Sequence, residues 1–207
     1  MARTAPAKGQ GSSLSIKPLG VETWPAFADL IERHNGVWGG CWCVAFHTKS
    51  YRDPLLSHRD PKELLVRTDR AHAALVYDGT ECVGWCQFGP RNELEAINRK
   101  RAYDKETAEL PDWRITCFFV DKRYRHRGVA RVALRGAVAE IAGLGGGLVE
   151  SFPEDVTNRK TSSSFLYNGT TAMFEEQGFE RGRQIGMHHW VMTRRVPATA
   201  RAGARER

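Results

Sequence analysis

Two spacings of apolar residues alternate along the chain and predict strands interleaved with helices. Short apolar runs favour strands, whereas apolar residues that recur every three or four positions favour amphipathic helices. The runs predict strands over 14–19, 73–77, 82–88, 113–120, 148–152, 181–185 and 187–195. The helical spacing predicts helices over 21–34, 60–72, 91–103, 129–141 and 170–177. This order indicates an α/β (α+β) domain with one sheet of about seven strands.

Turn and cap residues support several of these boundaries. Asp60 and Pro61 suit the N-cap and the first position of a helix. Asp78-Gly79 is a hairpin signal between the second and third strands. The segment 35–47, with three glycines, two tryptophans and two cysteines, fits neither a clean helix nor a polar loop.

The stretch 120–130 joins the fourth strand to the longest helix and carries unusual chemistry. Arg125, Arg127 and Arg131 surround Gly128 there. A helix N-terminus favours anions, because it presents unpaired N–H groups and the positive end of the helix dipole. Gly128 lets a ligand approach the backbone closely, and guanidinium groups suit phosphate. The local physics therefore predicts a pyrophosphate-binding turn.

The spacing Arg125-x-x-Gly128-x-Ala130, set between a strand and a helix, resembles the acyl-coenzyme A signature of the GNAT superfamily of N-acyltransferases. It lacks the Lys-Ser/Thr pair of a P-loop, and it does not read G-x-G-x-x-G. About fifty residues downstream, Met173–Phe179 resembles the helix-end motif that follows the fifth strand in that family. The resemblance spans 14–196. It implies the GNAT fold, a mixed sheet flanked by helices and splayed between strands 4 and 5.

The resemblance also implies acetyl-CoA (coenzyme A) as the cofactor. Backbone groups of the fourth strand would hold the acyl carbonyl and the pantetheine, and the turn would hold the pyrophosphate. The residues placed at the cofactor are Phe118, Phe119, Val120, Arg125, His126, Arg127, Gly128, Val129, Ala130, Arg131, Asn168, Thr171 and Phe174. The alternatives from the residues alone are a plain core strand and an exposed basic turn.

Acyl transfer to an amine requires removal of a proton from the ammonium and stabilisation of the departing thiolate. Glu150 is the candidate base, because it interrupts an apolar strand where an unpaired charge is costly, and some members of the family carry a glutamate there. The alternative is an outward-facing, solvated glutamate. In the family, position 174 usually holds a tyrosine that acts as the general acid. Here it holds Phe174, whose side chain cannot donate a proton. Tyr167 is the candidate substitute, with a packing aromatic as the alternative, and Cys117 is also near.

The segment 35–47 stands where the family builds the wall of its acceptor pocket. Aromatic rings with bends that glycine permits suit a shaped pocket. The candidates for acceptor contact are Trp38, Cys41, Trp42 and Trp85. The alternative is core filling beneath the first two helices.

Composition narrows the function classes. The net charge of +7 lies mostly in the terminal segments, so we expect no nucleic-acid-binding face on the domain. We expect a disordered tail over 1–13 and a basic tail over 197–207. No apolar run is long enough for a transmembrane helix, and 1–13 has no secretory signal. These features predict a cytoplasmic protein with reduced cysteines and no metal site.

Together with these features, the resemblance implies an acetyl-CoA-dependent N-acetyltransferase that acts by direct transfer on a small-molecule or peptide amine. Dimers are common among relatives, so a homodimer is one option for its assembly. A non-catalytic CoA-binding regulatory module is the alternative, and Phe174 is its main support.

Overall fold

The computed structural model describes residues 14–37, 39–47, 57–106 and 109–199. The helices are α1 (Trp24–Glu32), α2 (Arg59–Arg67), α3 (Lys100–Tyr103), α4 (Val129–Gly143) and α5 (Thr171–Glu175). The strands are β1 (Ser15–Pro18), β2 (His72–Asp78), β3 (Glu81–Pro90), β4 (Trp113–Val120), β5 (Gly147–Ser151), β6 (Glu180–Gln184) and β7 (Trp190–Val196). Two short 3₁₀ helices lie at Lys122–Tyr124 and Ser163–Asn168.

Within the described residues, seven strands form one sheet in the order β1-β2-β3-β4-β5-β7-β6. Neighbouring strands are antiparallel except β4 and β5, which are parallel. The parallel ladder runs from Trp113 opposite Val149 to Ile115 opposite Ser151. β4 then continues to Val120 while β5 ends, so the two strands diverge, and we call this divergence the fork. It confirms the predicted mixed sheet splayed between strands 4 and 5.

The two faces of the sheet are covered by different helices. The residues that α4 buries at helical spacing include Val129, Ala133, Leu134, Ala137 and Ile141. Gly136 lets α4 approach β1 so closely that a Cβ there would lie 2.9 Å from the Ile16 side chain. On the opposite face, Phe27 of α1 packs edge-on against Trp85 of β3, with ring centroids 5.0 Å apart. None of the helices in these ranges has the length and apolar character needed to cross a bilayer.

The structure corrects both ends of the helix predicted over 60–72. α2 begins at Arg59 after His58 as N-cap, so Asp60 lies inside the first turn, where its charge favours the helix dipole instead of capping the end. The helix ends at Arg67. Asp69 takes a left-handed φ of +53°, which breaks the helix before β2 begins.

The helix predicted over 91–103 is wrong for most of its length, because only Lys100–Tyr103 is helical. Earlier in the segment, the Leu94 carbonyl accepts a hydrogen bond from Arg114 Nη1 at 2.8 Å. A side chain from β4 thus bonds the backbone that the prediction assigned to a helix. The left-handed φ of +61° at Arg99 then separates this segment from α3.

Candidate functional site

A groove of about 840 Å³ lies alongside the second half of β4 and the turn that leads into α4, with further walls from the segment 161–173. The fork explains it, because among the described strands none pairs with residues 116–120 of β4 on the β5 side. The predicted cofactor-binding residues that line the groove are Phe118, Phe119, Val120, Arg125, His126, Gly128, Val129, Ala130 and Arg131. The structure thus brings the predicted strand and the predicted turn together around one groove.

Gly128 forms the corner between the turn and α4. It is the N-cap of the helix, with a left-handed φ of +77°, and no side chain caps this helix end. The N–H groups of residues 129–131 therefore face a ligand or solvent. A Cβ on Gly128 would meet no protein atom within 4 Å, so the space beside it is open. This geometry fits an anion held by backbone N–H groups.

The three arginines of the turn have different partners. Arg125 Nη1 lies 3.3 Å from Ser163 Oγ, and both residues line the groove. Arg131 forms a bidentate ion pair with Glu176 at 2.6 and 2.9 Å. Arg127 packs over the ring of a neighbouring tyrosine and does not line the groove. Within the described ranges, no carboxylate pairs with Arg125, so its charge is directed at the groove.

Asp121 anchors the turn to α1, and the sequence reasoning did not single it out. Its side chain is fully buried and accepts hydrogen bonds from Arg33 Nε at 3.3 Å and Arg123 Nη2 at 2.8 Å. Burial acts to raise the pKa of Asp121, but hydrogen bonds from Arg123 outweigh it and hold that pKa well below its usual range. The signal in the sequence was an acidic residue directly after an apolar strand, where a charge must be paired.

Glu150 lies on β5 beside the last pair of the parallel ladder and is 3% exposed. Arg114 Nε donates to its Oε1 at 2.8 Å, and the Tyr103 hydroxyl donates to its Oε2 at 3.0 Å. The alternative of an outward-facing, solvated glutamate is therefore wrong. Burial and the Glu150 carboxylate raise the pKa of Tyr103, so this phenol keeps its proton. Glu150 is not among the residues that line the groove.

Tyr167 lies beside the groove, near the end of the second 3₁₀ helix, and does not form part of its wall. Its hydroxyl accepts a hydrogen bond from Asn98 Nδ2 at 2.7 Å. Its ring packs toward Phe46, with centroids 6.3 Å apart. Burial raises the pKa of Tyr167, so the phenol holds a proton at neutral pH.

The remaining predicted cofactor residues, Asn168, Thr171 and Phe174, are buried behind the groove. Phe174 packs edge-on against Phe118, with ring centroids 6.0 Å apart. Phe118 lines the groove, so Phe174 supports the wall from behind. In this position it is a core residue with no exposed surface.

Glu154 is a buried carboxylate that was not among the candidates from the sequence, because it lies outside the predicted strands and helices. It lies three residues beyond β5, is 4% exposed and, like Glu150, is not among the residues that line the groove. Its Oε1 accepts a hydrogen bond from Arg159 Nη1 at 2.7 Å, whereas its Oε2 has no partner among the described residues. Its backbone N–H donates to the carbonyl of Gly169, which lines the groove. The signal available was a glutamate just after an apolar strand.

The candidate acceptor residues are mostly core residues where the structure describes them. Trp42 stacks on Trp24, and Trp85 stacks on Phe119 with ring centroids 4.8 Å apart. Both are buried, at 6% and 1% exposure, which matches the core-filling alternative. Cys41 is half-buried. Trp38 lies outside the described residues.

Comparison with known proteins agrees with this geometry. A family model described as the acetyltransferase (GNAT) family matches residues 29–167. The GNAT domain of S. lividans PAT has a similar structure, with a TM-score of 0.51, 14% identity, and coverage of 87% of this chain and 89% of that one. The yncA protein of Salmonella typhimurium, solved with its cofactor acetyl-CoA, has a TM-score of 0.50 and 13% identity, covering 92% and 98%. No curated protein matches the sequence significantly. At these identities the two structures show the fold.

Proposed function

Because the chain belongs to the acetyltransferase (GNAT) family, we propose that it moves an acetyl group from acetyl-CoA to a primary amine by direct transfer. The observation that carries the proposal is the fork. β4 and β5 pair over only three positions, and the freed edge of β4 leads into an uncapped helix N-terminus. An extended ligand with a diphosphate at one end fits this combination of strand edge and turn.

The residues present fit acetyl-CoA, which supplies the acyl thioester when bound. The free N–H groups of 129–131 and the unpaired charge of Arg125 would hold the diphosphate. The backbone of Phe118 and Val120 would pair with the amides of the pantetheine arm. The open space beside Gly128 is the feature of this chain that supports the fit.

Proton removal from the ammonium requires a base close to the fork, and two carboxylates compete for this role. Both oxygens of Glu150, the residue expected from the sequence, already accept hydrogen bonds. Glu154 lies beyond the ladder and has one oxygen without a partner in the described residues. The contacts therefore favour Glu154 as the base, directly or through a water. Tyr167 is the proposed acid, because its phenol keeps a proton and it lies beside the groove.

The two carboxylates are tested by matched Glu→Gln variants under saturating acetyl-CoA, once an acceptor amine is known. We expect Glu154→Gln to lower kcat by about 100-fold or more, with acetyl-CoA affinity unchanged. Glu150→Gln should retain kcat within a few fold in the folded fraction. The reverse ranking would assign the base to Glu150.

The first experiment is calorimetric titration of the full chain with acetyl-CoA and, separately, with CoA. We expect the wild type to bind and Gly128→Val to lose binding. A branched side chain strains a left-handed backbone and fills the open space beside residue 128. Gly79→Val is the matched control. Gly79 also has a positive φ, +61°, and open space, but it lies in the β2–β3 hairpin. Gly79→Val should share the backbone strain and retain affinity. Equal affinity in both variants would refute the assignment of the turn.

Catalysis is then tested by CoA release in the presence of a panel of small amines and peptides. Release that depends on the acceptor supports the transferase. Tight acetyl-CoA binding with no release for any amine would favour the non-catalytic module instead. The observation that favours the non-catalytic module is the buried Phe174, which occupies the position where the family usually has its general acid.

A further inference from the structure

A buried polar cluster lies between α2 and the sheet, on the face opposite α4, and the proposed acetyl transfer does not use it. Its members are Cys43, His47, Lys62, Gln87 and Cys117, and we call it the thiol cluster. The sulfur atoms of Cys43 and Cys117 lie 3.1 Å apart, closer than two sulfurs that merely touch. The two residues are 2% and 3% exposed, and both are free thiols.

Lys62 places its amine inside this cluster, where burial lowers the pKa of Lys62. It is 1% exposed, and its Nζ lies 3.4 Å from both His47 Nε2 and Gln87 Oε1. No carboxylate oxygen of the described residues lies within ion-pair distance of Lys62. Burial, with the Lys62 charge, lowers the pKa of His47 to about 2, so His47 is neutral and can accept a hydrogen bond from the lysine. A buried ammonium is costly without a counter-charge.

A thiolate at Cys43 would supply that counter-charge and would favour the charged form of Lys62. The hydrogen bond between the two sulfurs and the charge of Lys62 lower the pKa of Cys43, outweighing burial. The same hydrogen bond, together with burial, raises the pKa of Cys117 well above its usual range. Cys43 itself has a left-handed φ of +53°, in a tight turn that directs its side chain inward. Cys43 is thus disposed to act as the nucleophile, and Cys117 is disposed to remain a thiol.

We propose that Cys43 and Cys117 form an oxidisable pair that closes to a disulfide when the protein meets a peroxide. The Cys43 thiolate attacks a peroxide oxygen and the O–O bond breaks, which leaves Cys43 as a sulfenic acid and releases hydroxide. Hydroxide takes up the proton that Cys43 lost and becomes water. The Cys117 thiol then attacks the Cys43 sulfur and displaces a second water. Two thiols and hydrogen peroxide have become one disulfide and two waters.

The geometry favours this pair over the other cysteines. A disulfide requires a sulfur–sulfur distance of about 2.05 Å, so the two sulfurs need to approach by only about 1 Å. Cys82 and Cys86 are also buried, but burial raises the pKa of each, and neither bonds another thiol in the described residues. The disulfide would tie the segment 35–47 to β4 at the residue before Phe118, which lines the groove. The inference does not depend on the proposed acetyl transfer.

The test uses the full chain, reduced, freed of reductant and exposed to graded hydrogen peroxide. Remaining thiols are alkylated under denaturing conditions, and the digest is read by mass spectrometry without reduction. We expect free thiols to fall from five to three per chain, with one linked peptide pair containing Cys43 and Cys117, restored by dithiothreitol. Separate alkylation of both residues at every peroxide concentration would overturn the proposal, as would a dominant link through Cys41.

Three variants assign the roles. Cys117→Ser should stop the reaction at a sulfenic acid on Cys43, trapped by dimedone, and its appearance elsewhere would contradict the assignment. Lys62→Met, which keeps the length of the buried side chain, should slow thiol loss by about tenfold. An unchanged rate in a folded Lys62→Met protein would remove Lys62 from the activation of Cys43. Cys82→Ser is the matched control, because it removes a buried thiol outside the cluster and should leave the link intact.

Discussion

Replacing Glu150 with Gln should destabilise the protein strongly, because it leaves Arg114 buried without its counter-charge. The Arg114 and Glu150 side chains are 6% and 3% exposed, and Glu150 is the ion-pair partner that the described residues provide for Arg114. Removing one member of a buried pair costs about 3–5 kcal/mol. In a domain of this size, 1 kcal/mol shifts Tm by about 2–4 °C, so Tm should fall by roughly 6–20 °C.

The assay is chemical denaturation of the full chain, with a thermal melt as the second measurement. The control is the double variant Arg114→Met/Glu150→Leu, which replaces the pair with apolar side chains. Such replacements are often neutral or stabilising, so the double variant should regain most of the loss. A Glu150→Gln protein that melts within about 2 °C of the wild type would refute this reasoning. So would a double variant less stable than the single one. Catalytic effects of Glu150→Gln are interpretable only after correction for this unfolding.

Two further predictions concern the elements around the groove. Gly84→Ala should destabilise by about 1–3 kcal/mol, because a Cβ there would lie 2.8 Å from the Phe119 carbonyl oxygen. Gly20→Ala, where a Cβ would meet nothing within 4 Å, is the control, and equal melting temperatures for both variants would contradict the close approach. The pKa of Asp121 is depressed in the folded state. Its contribution to the free energy of unfolding is therefore fully present above about pH 4 and is lost as the pH falls further. Denaturation midpoints between pH 7 and 3 should therefore fall less steeply below pH 4 in Asp121→Asn than in the wild type, and parallel curves would exclude this role.

The fold was predictable where one pattern dominates locally. β4 occupies the predicted range 113–120, and α4 begins at the predicted Val129, because an apolar run and a glycine N-cap act over short distances. The segment 91–103 was not predictable in the same way. Its helical spacing is real, but Leu94 is fully buried and its carbonyl bonds Arg114, a residue twenty positions further along the chain. Tertiary contacts override propensity there.

The candidate site also has one part that was predictable from local sequence and another part that was not. The turn at Gly128 could be predicted, because its chemistry depends on neighbours in sequence. The acceptor side could not, because tryptophans, glycines and cysteines have the same composition in a pocket wall and in a core. Trp85 shows the difficulty, since one ring face touches Phe119 of the groove while the residue is 1% exposed. The proposed role of Glu154 depends on where β5 ends, and the sequence does not specify that end within two or three residues.

A buried charge pair lies next to the end of the parallel ladder and favours its register. Arg114 lies directly opposite Glu150 in the register of β4 and β5, one pair before the fork. A slip of one residue would move each side chain of β5 to the opposite face and separate the two charges. Hydrogen bonds favour the same register, since Ser151 Oγ donates to the Ile115 carbonyl at 2.9 Å and the Leu148 N–H donates to Asp112 Oδ2 at 2.7 Å. Together with these contacts, Glu150 and Arg114 help to fix where β4 is released from β5, and so which stretch of β4 faces the groove.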